Sequence, residues 1–129
     1  MAEKFITCEI RADIFDNGSK IVFTGIWQEG AKSGALNRFN SWEAFTNKWE
    51  ELNKKGQRLI DIEVYRHNNV TFYIGVWQAG SGGYALLSYT RWSNLMSKWN
   101  KLNSEGYYLV DFETSQAGNR EKYIGVWSK

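Results

Sequence analysis

WEAFTNKWEELNKKGQRLIDIEVYRHNNVTFYIGVW, residues 42–77, decides the fold: its periodicity changes character along its length and its pattern then recurs. Trp42, Phe45, Trp49 and Leu52 fall on one helical face, Ser41 stands where an N-cap belongs, and Gly56 stands where the helix should stop. From Arg58 to Tyr65 the period becomes two. Ile60, Ile62 and Val64 read as one face, with Leu59, Asp61 and Glu63 on the other, which predicts a half-buried strand. His67-Asn68-Asn69 predicts a hairpin turn into a second strand, Thr71–Trp77. Fifty residues on, WSNLMSKWNKLNSEGYYLVDFETSQAGNREKYIGVW at 92–127 repeats the pattern, with Trp92, Leu95, Met96, Trp99 and Leu102 as the stripe, Thr90 as candidate cap and Gly106 as terminator.

The period is a duplication. Residues 20–69 align with 70–119 without a gap and share 16 residues. Gly25/Gly75, Trp27/Trp77, Trp42/Trp92, Trp49/Trp99, Gly56/Gly106, Asp61/Asp111 and Glu63/Glu113 are among them. Residues 120–129 restart the unit through Tyr123, Gly125 and Trp127, and FITCEIR at 5–11 resembles a unit's tail, with Glu9 in the place of Glu63. One domain is expected, made of a partial repeat (1–19), two full repeats (20–69, 70–119) and a partial repeat (120–129). A Gly-rich turn, Gly80-Ser81-Gly82-Gly83, leads to a third strand, Tyr84–Thr90, before the second helix. The fold class expected is α+β: a tandem repeat of a three-stranded antiparallel meander plus one amphipathic helix, with eight strands, two helices and pseudo-two-fold symmetry.

The string Trp42, Phe45, Trp49, Leu52, Gly56, followed by a strand and a hairpin leading to Tyr73-Ile74-Gly75-Val76-Trp77, resembles the bacterial tandem repeat domain. That domain also builds the N-terminal region of fungal polyglycine hydrolases. There the repeats accompany a serine-hydrolase domain resembling β-lactamases, which has no counterpart in this sequence. The resemblance implies a non-catalytic accessory or recognition role and carries no functional residues across.

Bulk properties narrow the partners. A net charge of +2, with both signs interleaved, gives no basic stripe for phosphate neutralisation, so no nucleic acid is expected. No apolar stretch approaches the roughly 20 residues needed to cross a bilayer, so no membrane insertion is expected. The opening MAEKFITCEI has too short an apolar run for a signal peptide, but a mature secreted form would read the same, which leaves the compartment unknown. The sequons Asn17-Gly18-Ser19 and Asn69-Val70-Thr71 fall at expected turns. Cys8, the only cysteine, excludes an intramolecular disulfide and sits at period two between Ile6 and Ile10 as a small hydrophobe. His67 is the only histidine. Without a second histidine, a cysteine cluster or a nucleophile motif, no enzyme, catalytic residue, metal or cofactor is expected.

Aromatic residues are the outlier at 16%, with seven Trp, seven Tyr and seven Phe. The helix tryptophans read as core. The strand aromatics suggest a binding surface, because Tyr73, Gly75 and Trp77 share a face at period two. If that face coincides with the face of Asp61 and Glu63, each hairpin offers rings, two carboxylates and a bare glycine. The sets are Thr7, Glu9, Phe23 and Trp27; then Asp61, Glu63, Tyr73 and Trp77; then Asp111, Glu113, Tyr123 and Trp127. Rings can stack on a sugar while carboxylates accept its hydroxyl hydrogens, so a glycan is the favoured ligand, with a flat apolar or conjugated molecule such as a pigment second. The plainer reading keeps Trp27, Trp77 and Trp127 in the core and gives the carboxylates to cross-strand partners. The alternative function is a structural module that forms homo- or hetero-oligomers with similar chains through edge strands.

Overall fold

The structure is a computed structural model describing residues 5–30, 34–117 and 119–129; the first four residues of the N-terminal partial repeat lie outside them. Eight strands and two helices run in the order β1 (Phe5–Phe15), β2 (Lys20–Glu29), β3 (Gly34–Phe39), α1 (Trp42–Lys54), β4 (Gln57–His67), β5 (Val70–Ala79), β6 (Tyr84–Tyr89), α2 (Trp92–Ser104), β7 (Tyr108–Ala117) and β8 (Arg120–Ser128). The fold is α+β, built of a repeated three-strand, one-helix element. It divides into two compact units, Met1–Ser81 and Gly82–Lys129.

The helices end where local chemistry dictates. Ser41 Oγ accepts the amide hydrogen of Ala44 at 3.2 Å, satisfying one orphan donor at the start of α1. Helix α2 differs from expectation: Arg91, not Thr90, is its N-cap, and no side chain caps it. Its other end closes as a Schellman turn, with Gly106 at φ +89°, the Gly106 amide donating to Asn103 O and the Tyr107 amide donating to Leu102 O. In the β4–β5 hairpin Asn68 and Asn69 take φ +51° and +62° between the paired residues His67 and Val70, a two-residue turn for which asparagine is suited. Both sequons therefore sit at hairpin tips, Asn17 within the 3-10 turn Asp16–Gly18.

In the first unit β1 and β2 form a two-stranded sheet, and β3, β5 and β4 form a second sheet in that order, all antiparallel. Helix α1 covers one face of the three-stranded sheet. Phe45 is fully buried there, its ring 5.6 Å from Trp77 and 6.0 Å from Tyr73. The second unit repeats this with β6, β8 and β7 in that order, where Leu95, Leu102 and Trp127 form the centre under α2. Each sheet thus joins a hairpin to the strand that precedes its helix, so structural unit and sequence period are out of phase.

The alternation read in β4 is broken by a bulge. Leu59 pairs with Trp77 but Asp61 pairs with Val76, leaving Ile60 as an extra residue. One extra residue shifts every later side chain to the opposite face. Leu59, Ile62 and Val64 therefore share the helix-covered face and are buried. Ile60 joins Ile74, Val76 and Tyr65 on the other side. The same bulge recurs between Leu109 and Asp111 and between Thr7 and Glu9. Cys8 sits at the first of these, half-buried, rather than in the row of Ile10.

The helix indoles are less buried than expected, while those of β5 and β8 follow the plainer reading. Trp42 and Trp49 are half-buried and Trp92 is 50% exposed, whereas Trp77 and Trp127 are sealed at 0% and 1%. The helix indoles ride the rim because Phe45 and Leu95 take the centre of their stripes. Burying roughly 200 Å² of each hairpin indole contributes at most about 5 kcal/mol.

Candidate functional site

The expected ring-and-carboxylate face does not assemble. In β5, Tyr73 and Trp77 look toward α1 beside Val64 and Leu59, while Asp61 and Glu63 pair with Val76 and Ile74 on the opposite face. The second unit has the same register: Leu109 opposes Trp127, while Asp111 and Glu113 oppose Val126 and Ile124. The bulge is the cause, because it puts the carboxylates out of phase with the rings. Trp77 and Tyr73 lie in the interior at 0% and 6% exposure, and Trp127 is equally enclosed. Tyr123 is half-buried, 5.4 Å from the Trp92 ring. The Nε1 donors of Trp77 and Trp127 are buried without an acceptor among the described residues, so each ring serves by bulk.

Each sealed indole has a defined seat. At Gly75 a Cβ would overlap the Trp77 ring and come within 2.9 Å of Phe45 Cε2; at Gly125 it would overlap Trp127. The glycine of the Gly-x-Trp pair exists so that the indole can lie flat on bare backbone.

The carboxylates of the first unit do something the sequence did not suggest. Asp61 Oδ2 accepts the Ile10 amide at 2.8 Å, and Glu63 Oε1 accepts the Ala12 amide at 3.1 Å. Gln78 Nε2 donates to Thr7 O at 3.0 Å. These groups hold the outer edge of β1 against the β3–β5–β4 sheet, and Ile10 packs onto Tyr65, Ile74 and Val76 beneath. Alternate amides of an edge strand point the same way, which is why carboxylates two residues apart can hold two of them. No sequence signal short of the bulge could have assigned this role.

Hairpin β1–β2 is where apolar surface stays open. Six of the eleven large hydrophobic residues exposed among the described ones belong to it: Ile14, Phe23 and Trp27 on one face, and Phe15, Val22 and Ile26 on the other. Its register reproduces that of β4–β5, with Thr7 opposite Trp27, the bulge at Cys8, and Glu9 opposite Ile26. Glu9 is thus the counterpart of Asp61, and not of Glu63 as the sequence alignment had it; Arg11 takes the place of Glu63. Trp27 lies over Gly25 as Trp77 lies over Gly75. Yet Trp27 is 52% exposed and Phe23 44%, because neither a helix nor a third strand covers them among the described residues. An apolar groove of about 310 Å³ runs beside Phe23, lined by Ile10, Leu36, Asn37, Arg38 and Ile74. Of the first expected set, then, Phe23 and Trp27 are exposed on one face and Glu9 on the other.

Two segments, residues 41–79 and 91–129, match the polyglycine hydrolase-like structural repeat. The chain belongs to that family. Each match spans one helix and the hairpin after it, so the repeat includes the sealed Trp77 and Trp127 and their glycines, and hairpin β1–β2 lies outside both matches. No curated protein and no solved structure matches the chain. His67, at the end of β4, borders a polar hollow of about 420 Å³ between the two hairpin tips of the first unit, together with Asn17, Arg66 and Asn69. The described residues hold no cluster of three metal-ligating side chains, and no described helix is long and apolar enough to cross a membrane.

Proposed function

We propose that this chain is a non-catalytic interaction module that docks a protein partner through the open side of hairpin β1–β2. The observation that carries the reading is the half-exposed pair Phe23 and Trp27, seated on a hairpin whose two structural equivalents are covered. Exposed aromatics on a rigid frame suit protein recognition, because they desolvate a large area at small entropic cost. The glycan reading finds less support, since Asp61 and Glu63 each hold a backbone amide on the face opposite Tyr73 and Trp77. A flat apolar molecule remains a second reading, favoured by the groove beside Phe23 and Leu36.

Sedimentation velocity from micromolar to millimolar concentration tests the docking reading, because an open apolar face associates weakly with itself when crowded. The wild type is expected to associate and Trp27→Ser to stay monomeric. Identical sedimentation of the two would remove the reading. A pigment or lipid panel that shifts the fluorescence of the wild type but not of Trp27→Ser would replace it with the second one.

A further inference from the structure

Three hairpins of one register stand in this chain, and two of them are completed in the same way. On β5 the added strand is β3, with Ala35 opposite Trp77 and Phe39 opposite Tyr73; on β8 it is β6, with Ala85 opposite Trp127 and Tyr89 opposite Tyr123. In both cases the chain then enters a helix whose buried residue, Phe45 or Leu95, lies on the hairpin. On β2 the corresponding edge pairs with no strand among the described residues. The seat is nevertheless built: Trp27 already rests on Gly25, with Phe23 two residues before that glycine.

The polarity of the β2 edge follows from the β1 contacts. The Ile10 and Ala12 amides point away from β2, toward Asp61 and Glu63. Ile10 and Ala12 are therefore in non-hydrogen-bonded pairs with Gly25 and Phe23, and the backbone groups of Gly25 and Phe23 point outward from β2. Those are the groups an added antiparallel strand would use. Beside them the groove flanked by Phe23, Leu36 and Arg38 gives an amphipathic helix somewhere to lie.

We propose that β2 and this groove together receive a β-strand followed by an amphipathic helix of the same repeat type, donated by another repeat-bearing polypeptide. This deepens the docking reading above and rests on it. The recognisable chemistry of the donor is a small residue opposite Trp27, an aromatic four residues later opposite Phe23, and then a helix with an apolar stripe. Ala35, Phe39, Trp42, Phe45, Trp49 and Leu52 spell that pattern here. A second copy of this chain is the weaker donor, because both of its strand–helix segments are already paired on their own hairpins.

The probe is a synthetic peptide of residues Gly34–Lys55, added to the full chain and followed by calorimetry and amide hydrogen exchange. Binding at one site is expected, with exchange at the Phe23 and Gly25 amides slowed about tenfold or more. Trp27→Ala should weaken binding about thirtyfold, as loss of a central aromatic anchor does, and Ile26→Ala on the opposite face should leave it unchanged. A peptide carrying Phe45→Asp should not bind to the unaltered chain, a comparison that does not depend on how any protein variant folds. Absence of peptide binding, or binding that leaves the Phe23 and Gly25 amides unprotected, overturns the proposal. So does self-association through paired β2 edges without peptide uptake. If the peptide fails while wild type and Trp27→Ser still sediment differently, only the strand–helix donor is wrong; if they sediment alike, the docking reading goes with it.

Discussion

Replacing Asp61 by alanine should loosen hairpin β1–β2 without melting the sheet under it. The Asp61 carboxylate accepts the Ile10 amide at 2.8 Å in a partly buried setting, and Glu63 holds the Ala12 amide at 3.1 Å. Hydrogen bonds to a charged group are worth about 1.5–3 kcal/mol each. At 1.36 kcal/mol per factor of ten, losing one raises the population of the undocked hairpin by about ten- to 150-fold. Asp61→Asn keeps an acceptor of similar shape but loses the charge, so it should fall near half of that free energy. The double change Asp61→Ala with Glu63→Ala removes both supports and should leave the hairpin held by the packing of Ile10, Ala12 and Ile21, the Phe23–Tyr65 ring contact and Gln78. Native-state hydrogen exchange reads this residue by residue. Ile10 and Ala12 amides should accelerate by the stated factor, while those of β5, such as Val76, hold their rate. Unchanged exchange at Ile10 in Asp61→Ala would refute the pinning. Uniform acceleration across the first unit would show that the carboxylate stabilises the sheet itself instead.

Other expectations follow from the same geometry. Trp77→Ala should cost about 3–5 kcal/mol in denaturant unfolding. Trp77→Phe should cost clearly less, because its Nε1 donor has no acceptor to lose. Gly75→Ala meets both Trp77 and Phe45 in a closed core and should cost about 1–3 kcal/mol, whereas Gly25→Ala should cost less because the Trp27 ring can swing toward solvent. Ser41→Ala removes the α1 cap and should cost about 1 kcal/mol, and Arg91→Ser should add a similar amount at the uncapped start of α2. Burial raises the Tyr73 phenol above its usual 10.0, so its contribution to stability is complete below that pH and declines as the pH rises beyond it. Tyr73→Phe should remove that component of the alkaline unfolding curve.

The duplication, the helix positions and the hairpin tips were legible because each rests on local chemistry. The stripe through Phe45 and Leu52, the stop at Gly56 and the Asn68-Asn69 turn all act within a few residues. The bulge at Ile60 was not legible: an inserted residue leaves no compositional mark, and RLIDIEVY reads as an unbroken alternation until the pairing with Trp77 and Val76 is seen. Every error at the candidate site descends from it, since one slipped phase put Asp61 beside Trp77 on paper and on the far face in space. The incomplete burial of the helix indoles has a different origin. Period alone cannot rank residues within a stripe, and Phe45, lying between Trp42 and Trp49, takes the centre because it faces the Gly75 gap.

Hairpin β1–β2 departs from its two equivalents on its outer face as well as its inner one, and the departures have opposite consequences. Where Asp61 and Glu63 stand as a pair of acceptors for a neighbouring strand's amides, the first hairpin has Glu9 and Arg11. A guanidinium only donates, so it cannot receive an amide hydrogen, and Arg11 turns instead to Asp13 at 3.5 Å. Half of the device that pins an edge strand is therefore gone from that face. The inner face keeps Gly25 and Trp27 and has Phe23 where the others have tyrosine. The docking proposed above therefore has a direction: it expects a partner to add along β2, beside Gly25, Trp27 and Phe23, and not over Arg11.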